Sequence, residues 1–266
     1  MNKSSLAVPA AIVVAAALIA GAIYLNGKNQ APAATGGDNP QNPKEITLRP
    51  IDEKDHIRGN PNAPIMIVEY SDYDCPFCSK FHTTMQRAID KYGTTGKVAW
   101  VYRHFPLKQL HPNSTKIAAA SECVAEIGGN DAFWKFTDLV FGNKPIERRE
   151  DESGQMQNVI GFTDMSRLPE FAEKSGADRS KFELCANSGK YDSVIEADIA
   201  EAVAAGGTGT PHTLIVGGNK VLATLPGAIP FENYATNAGQ QSGLDEILSN
   251  LTGQINDQPV SGTSTE

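Results

Sequence analysis

Cys75-Pro76-Phe77-Cys78 stands between an apolar run, Ile65-Met66-Ile67-Val68-Glu69-Tyr70, and a segment in which Phe81, Met85, Ala88, Ile89 and Tyr92 recur at three- and four-residue spacing. The run predicts a strand over 65–70 and the spacing predicts a helix over 76–92. Both cysteines then fall in the first turn of that helix, where free amides and the positive end of the dipole favour a thiolate on the first sulfur. A pair placed in this way exchanges disulfides. Gly93 to Gly96 ends the helix, and 97–104 alternates as a second strand with Val98, Trp100 and Tyr102 on one side. A strand, helix, strand unit of this size favours a parallel pair in a covered sheet, with the dithiol at the carboxyl end of its strand.

Beyond Pro112 the spacing predicts helices over 113–127, 132–141, 152–160, 165–175, 179–187 and 190–205, with Asp178 as a cap. Strand periodicity returns over 212–216, turns at Gly217-Gly218-Asn219 and resumes over 220–225, a hairpin signal. Pro230 leads into a final helix over 231–251, broken near 239–243, and a short strand is possible at 46–48. The fold class expected is α/β, with a helical insertion at about 113–205 splitting the core. Phe133, Trp134, Phe136 and Phe141 read as packing residues of that insertion, and the mixed-sign run 147–152 as a solvated loop or helix start.

Leu6 to Leu25 carries no charge and, as a helix, reaches about 30 Å, the thickness of a bilayer core. An N-terminal transmembrane helix over 1–25 is expected, with a signal peptide cleaved near Ala20-Gly21-Ala22 as the alternative. Residues 26–44 read as a flexible linker and 253–266 as a disordered tail, leaving a folded part over 45–252. The expected location is the cell membrane, single-pass, with the catalytic domain outside the cytoplasm. Lys plus Arg number 23 against 31 acidic residues, a net charge of -8 that gives no general attraction to nucleic acid. Four cysteines are few for a disulfide scaffold.

Three stretches together carry a family resemblance: Glu69-Tyr70-Ser71-Asp72-Tyr73-Asp74-Cys75-Pro76-Phe77-Cys78, Tyr102-Arg103-His104-Phe105-Pro106-Leu107, and Gly209-Thr210-Pro211. Over about 55–250 the chain resembles the DsbA-type thiol-disulfide oxidoreductases of the thioredoxin fold, particularly the membrane-tethered bacterial members with a helical insertion. The resemblance implies a protein that needs no cofactor, passes its disulfide to reduced exported polypeptides and is reset by a quinone-linked membrane oxidase. No dimerisation segment is evident before the first core strand, so a monomer is expected.

Cys75 is expected to be the attacking thiol, facing solvent, and Cys78 the resolving one. Pro76 suits an early helical position, where a missing N–H costs nothing. Phe77, a candidate substrate contact, offers Cys75 no hydrogen bond. The strongly oxidising relatives carry a histidine in its place, which leaves open a reductase or isomerase kept reduced by a membrane donor. A tethered peptide-binding chaperone is the reading from another class. For Thr210-Pro211 the resemblance implies a cis bond and a loop facing the active cysteine. There the residue 210 backbone pairs with substrate and Pro211 blocks further pairing. It also places Glu69 beneath the dithiol as a buried acid of raised pKa that takes the Cys78 proton, against the alternative of a solvent-facing strand residue. His104 reads either as structural or as ordering the site's surroundings. Cys123 and Cys185 read as a disulfide across the insertion, worth about 4 kcal/mol by the chain-entropy model, or as two buried free thiols. Neither has metal-ligand spacing, and no metal is expected. A substrate groove is expected near Phe77, Phe105 and Pro106.

Overall fold

The structure, a computed structural model, describes residues 48–218 and 220–256. The expected anchor, linker and most of the tail lie outside the described residues, as do positions 46 and 47 of the possible first strand and Asn219 of the hairpin turn. Among the described residues no helix is long and apolar enough to cross a membrane.

The run at Ile65 forms strand β2 (Ile65–Ser71), which pairs in parallel with β3 (Val98–His104), placing Ile67 beside Trp100 and Glu69 beside Tyr102. Every residue of both strands is buried, and so the alternation that marks a half-exposed strand is weak in β2. The helix between them, α1 (Pro76–Tyr92), starts from Cys75 in extended conformation with Pro76 in its first turn. Phe81, Met85 and Ala88 on its inner face pack with Ile65, Ile67 and Trp100 into the larger core. Truncating Met85, fully buried at that centre, to alanine costs about 2–5 kcal/mol.

The other strands are β1 (His56–Gly59), β6 (His212–Gly217) and β7 (Lys220–Leu225), giving one sheet in the order β1-β3-β2-β6-β7 with β2–β3 its parallel pair. The insertion contributes α2 (Ser114–Gly142), α3 (Leu168–Ser175), α4 (Arg179–Ala186) and α5 (Asp192–Ala204). α2 is interrupted at Gly129, whose φ of 77° and ψ of -174° are open to glycine and strained for other residues. This break accounts for the two periodic segments, 113–127 and 132–141, seen in the sequence. The second face of the sheet, with Met66, Val68, Tyr70 and Val101, packs on Ala202 and Ala205 at the end of α5. The sheet is thus covered on both sides, and α1 leaves from the carboxyl end of its central strand.

One expected helix is absent and another is present only in its second half. Residues 152–160 form half of a hairpin, β4 (Ile146–Glu150) and β5 (Met156–Ile160), rather than a helix. The Asp151 carboxylate accepts the amides of Ser153 and Gln155, and Gly154 takes a positive φ, so local turn chemistry overrides the helical spacing. Similarly, 231–243 is not helical: β8 (Tyr234–Thr236) and β9 (Gly239–Gln241) form a second small hairpin, and α6 (Leu244–Asn256) starts only after Gly243, whose amide is held by the Asn233 side chain. β1 is an addition that the sequence reading lacked. It is fixed on the edge of β3 by Arg58, which bonds Asp138 at 2.7 Å and lies 4.4 Å over the Trp134 ring.

Candidate active site

The two cysteines are not bonded to each other in this structure. Cys75 caps α1 and Cys78 sits one turn in, fully buried. Cys75 is itself only 4% exposed, which corrects the expectation of a solvent-facing sulfur. The cause is the loop before β6: the Cys75 thiol donates to the Thr210 carbonyl at 3.4 Å. A hydrogen bond from the Cys78 thiol is the main reason why the Cys75 pKa is lowered to about 6. The Thr210 side chain, as distinct from its carbonyl, and the amides of Cys78 and Phe77 add to the effect, and burial opposes it. Cys78 moves the opposite way. Burial pushes its pKa well up, and the negative charges of Cys75 and Glu69 push it further. One sulfur is therefore a ready thiolate and the other a retained thiol.

Glu69 occupies the same face of β2 as Ile67, with its residue 1% exposed. Burial raises its pKa to about 7, the Cys75 thiolate adds to this, and Ser71 and Trp100 act against it. Its Oε2 has no hydrogen-bond partner, and neither do the buried Ser71 Oγ, Trp100 Nε1, Tyr102 hydroxyl and Thr213 Oγ1. Tyr102 and Thr213 are the two cross-strand neighbours of Glu69. A buried carboxyl with one oxygen unpartnered exchanges its proton near neutral pH, and Cys78 feels its charge.

The Thr210–Pro211 peptide bond is cis. The Thr210 carbonyl accepts from Cys75, while Pro211, which is buried, brings no N–H to that sulfur. Phe77 projects from the first turn of α1 with 58% of its surface exposed, next in sequence to the dithiol residues. Phe105, by contrast, is buried in the second core and is withdrawn from the expected groove.

Sequence reasoning missed a polar shell that holds the turn before Cys75. Asp72 accepts the Asp74 amide at 2.8 Å, the Leu107 amide at 2.7 Å and the His111 ring at 2.8 Å. Asp74 accepts the amide and hydroxyl of Thr163 and the Lys144 ammonium at 2.6 Å. The Asp72 amide in turn lies 3.5 Å from the Cys78 sulfur, as its donor. Asp72 holds His111 above the usual imidazole range, whereas burial lowers Lys144. The alternation Asp72-Tyr73-Asp74 was the available signal, but its partners come from three distant segments.

Cys123 on α2 and Cys185 on α4 are joined by a disulfide with a Cα separation of 5.8 Å, which ties two helices of the insertion together. The partners of His104 lie away from the dithiol: its ring bonds Glu122 at 2.8 Å and its amide bonds Asp198 at 3.0 Å. Its place is in the packing of β3 against α2 and α5.

Residues 52–232 match the family model described as thioredoxin. Among solved structures, oxidised BdbD from Bacillus subtilis superposes with a TM-score of 0.59 at 18% identity, covering 79% of this chain and 98% of that one. The alpha-DsbA1 protein of Wolbachia pipientis gives 0.55 at 25% identity, covering 80% and 94%. Among curated proteins, the Na(+)/H(+) antiporter NhaA 1 of Mycolicibacterium gilvum is 34% identical over 176 residues, 65% of this chain and 25% of that protein. The chain spans a quarter or less of the length of the curated relatives it matches. Residues 52–232 place the chain in the thioredoxin family, and its fold is that of the DsbA-type thiol-disulfide oxidoreductases.

Proposed function

We propose that this domain is an oxidase: it donates a Cys75–Cys78 disulfide to reduced exported polypeptides. The observation that carries this reading is the asymmetry of the pair, with Cys75 lowered to about 6 and Cys78 pushed well up. In the oxidised domain a substrate thiolate attacks the Cys75 sulfur, forming a mixed disulfide and expelling Cys78. The leaving sulfur takes a proton from Glu69, which still holds one near neutral pH. A second substrate thiolate then attacks the substrate's own sulfur and expels Cys75, a good leaving group because its thiolate is stabilised. The substrate loses two electrons and the dithiol gains them. Its reoxidation is assigned to a quinone-linked membrane oxidase, which accepts those electrons.

Phe77 and the Thr210–Pro211 edge are the proposed substrate contacts: an exposed ring beside the reactive sulfur and a backbone that stops pairing at a proline. The domain acts as a monomer held outside the cytoplasm by the apolar segment 6–25. The Cys123–Cys185 bond supports an oxidising compartment. The antiporter name belongs to proteins of which this chain matches a quarter or less, and ion exchange is not carried over to it.

Phe77 favours a second reading. Its side chain brings no donor to the Cys75 sulfur beyond the backbone amide, and a weaker hold on the thiolate suits a reductase supplied by a membrane donor. The equilibrium reduction potential of Cys75–Cys78 in glutathione buffers separates the two. A value near about -120 mV is expected of a disulfide donor, and one near about -270 mV would assign the domain to the reductases.

A further inference from the structure

On the side of β3 away from β2, three donors meet that no sequence spacing connects. His56 comes from the edge strand β1, His104 from the end of β3 and Glu122 from the first half of α2. The Nε2 atoms of both rings lie 2.8 Å from the same oxygen, Glu122 Oε1. The donor atoms of all three side chains lie within 4.8 Å of one another. Four ligands around a zinc ion with bonds of about 2.0–2.1 Å stand roughly 3.3 Å apart, so small side-chain rotations suffice to admit an ion among these atoms.

The rings are also held in place without the ion. His56 is stacked on Phe133 with centroids 3.5 Å apart and planes 10° from parallel. The His104 ring meets Tyr102 and Phe133 edge-on at 5.4 and 6.3 Å. Its Nε2 donates to the Glu122 carboxylate and its Nδ1 has no hydrogen-bond partner, so an incoming ion meets no competing contact at Nδ1 and has only the Nε2 proton to displace. Ligands fixed by packing lose little freedom when an ion arrives.

The fourth position is open. His56 and Glu122 line a pocket of about 340 Å³, and their side chains are 12% and 13% exposed. Asp52, Asp55 and Asp198 face this pocket against Arg49 and Lys54, and Arg49 is already engaged by Asp55 and Glu201. The lining is therefore net anionic before any ion enters. Two imidazole nitrogens with one carboxylate oxygen suit zinc rather than calcium or magnesium, which require more oxygen ligands.

We propose that His56, His104 and Glu122 form a zinc site that bolts the edge strand β1 and the insertion helix α2 to the end of β3, with the fourth ligand position facing the pocket. The site is separate from the dithiol and independent of the direction in which that dithiol works. An ion replaces the shared Glu122 contact, both rings turning bare Nε2 atoms toward it, so binding releases any proton those atoms carry.

The test uses the full chain with Cys75–Cys78 oxidised, so that the dithiol offers no thiolate ligand, titrated with zinc chloride in competition with a chromophoric chelator. One zinc per chain is expected, with the melting temperature raised by zinc and restored by EDTA. Glu122→Gln, His56→Gln and His56→Ala are each expected to weaken binding at least tenfold, and circular dichroism selects those variants that keep the native fold. Glu122→Gln conserves shape and a hydrogen-bond acceptor, and so separates loss of a ligand from loss of packing. Failure of the oxidised wild type to bind stoichiometric zinc would overturn the proposal. So would unchanged affinity in the folded variants.

Discussion

Two buried ionisable groups on neighbouring central strands are treated in opposite ways. Arg103 on β3 is fully buried on the face that packs against α5, opposite Tyr70 in the strand register. Its guanidinium is saturated: it donates to both Asp55 oxygens at 2.8 and 3.0 Å, to Glu201 at 2.5 Å and to the Tyr70 hydroxyl at 3.2 Å. Burial pushes Arg103 down and Asp55 up, but their mutual hydrogen bonds and charges win, leaving Arg103 raised and Asp55 lowered. Glu69, on the other face, is just as buried and has an oxygen without a partner, so burial wins. The lesson concerns compensation rather than burial. A saturated pair is locked in one charge state and serves the fold. An uncompensated carboxyl under a dithiol is held where its proton can move.

The largest effect comes from breaking the saturated side. Arg103→Met leaves Asp55 buried without its main partner, and a loss of about 3–5 kcal/mol in urea unfolding is expected. A loss below about 1 kcal/mol would show that the network contributes little beyond its packing. The Asp55 contribution is present above the ordinary carboxylate pKa and disappears as pH falls through its lowered folded value.

The pH dependence of the other side has the opposite sign. The folded chain retains the Glu69 proton up to about pH 7, whereas the unfolded chain releases it near the model-peptide value of 4.5. Stability from this group is complete below the unfolded pKa and is lost as pH rises through the folded one. A pKa difference of this size corresponds to about 3 kcal/mol between pH 4 and pH 8. Measured on the oxidised protein, where the thiols do not titrate, Glu69→Gln is expected to remove that slope. Parallel wild-type and variant curves would mean that Glu69 is compensated after all.

Exchange kinetics give a somewhat smaller effect in free-energy terms. Glu69→Gln is expected to slow single-turnover exchange at pH 7 about 10²-fold, the lower end for loss of a positioned acid or base. An unchanged rate would remove Glu69 from the proton path. Smallest of all is its effect on Cys75, whose alkylation rate should titrate with a midpoint near 6 in wild type and move little in the variant, because its thiolate is held by Cys78, Thr210 and amides rather than by Glu69. A midpoint near 9 in wild type would contradict the stabilised thiolate.

The residues that were legible in the sequence are those whose signal is local. β2, α1 and β3 follow from an apolar run, a helical period and a glycine stop within forty residues, and the β6–β7 hairpin from two strand periods around a glycine pair. Cys75, Cys78, Glu69 and Thr210-Pro211 were legible as members of short motifs. The errors fell on mostly exposed polar stretches, 152–160 and 231–243, where too few buried residues recur to set a period and an Asp151 turn or an Asn233 bond decides the backbone. The shell of Asp72, Asp74, His111, Lys144 and Thr163 escaped for a different reason. Its bonded members lie up to 89 positions apart, and only the folded chain brings them to one turn.

The most direct test of the account is to trap the mixed disulfide. Cys78→Ala, incubated reduced with an unfolded polypeptide that carries one disulfide, should accumulate a covalent complex that mass spectrometry maps to Cys75. Cys75→Ala, which leaves only the fully buried, high-pKa Cys78, should form none over the same time. Adducts on Cys78 at a comparable rate would contradict the division of labour between the two sulfurs.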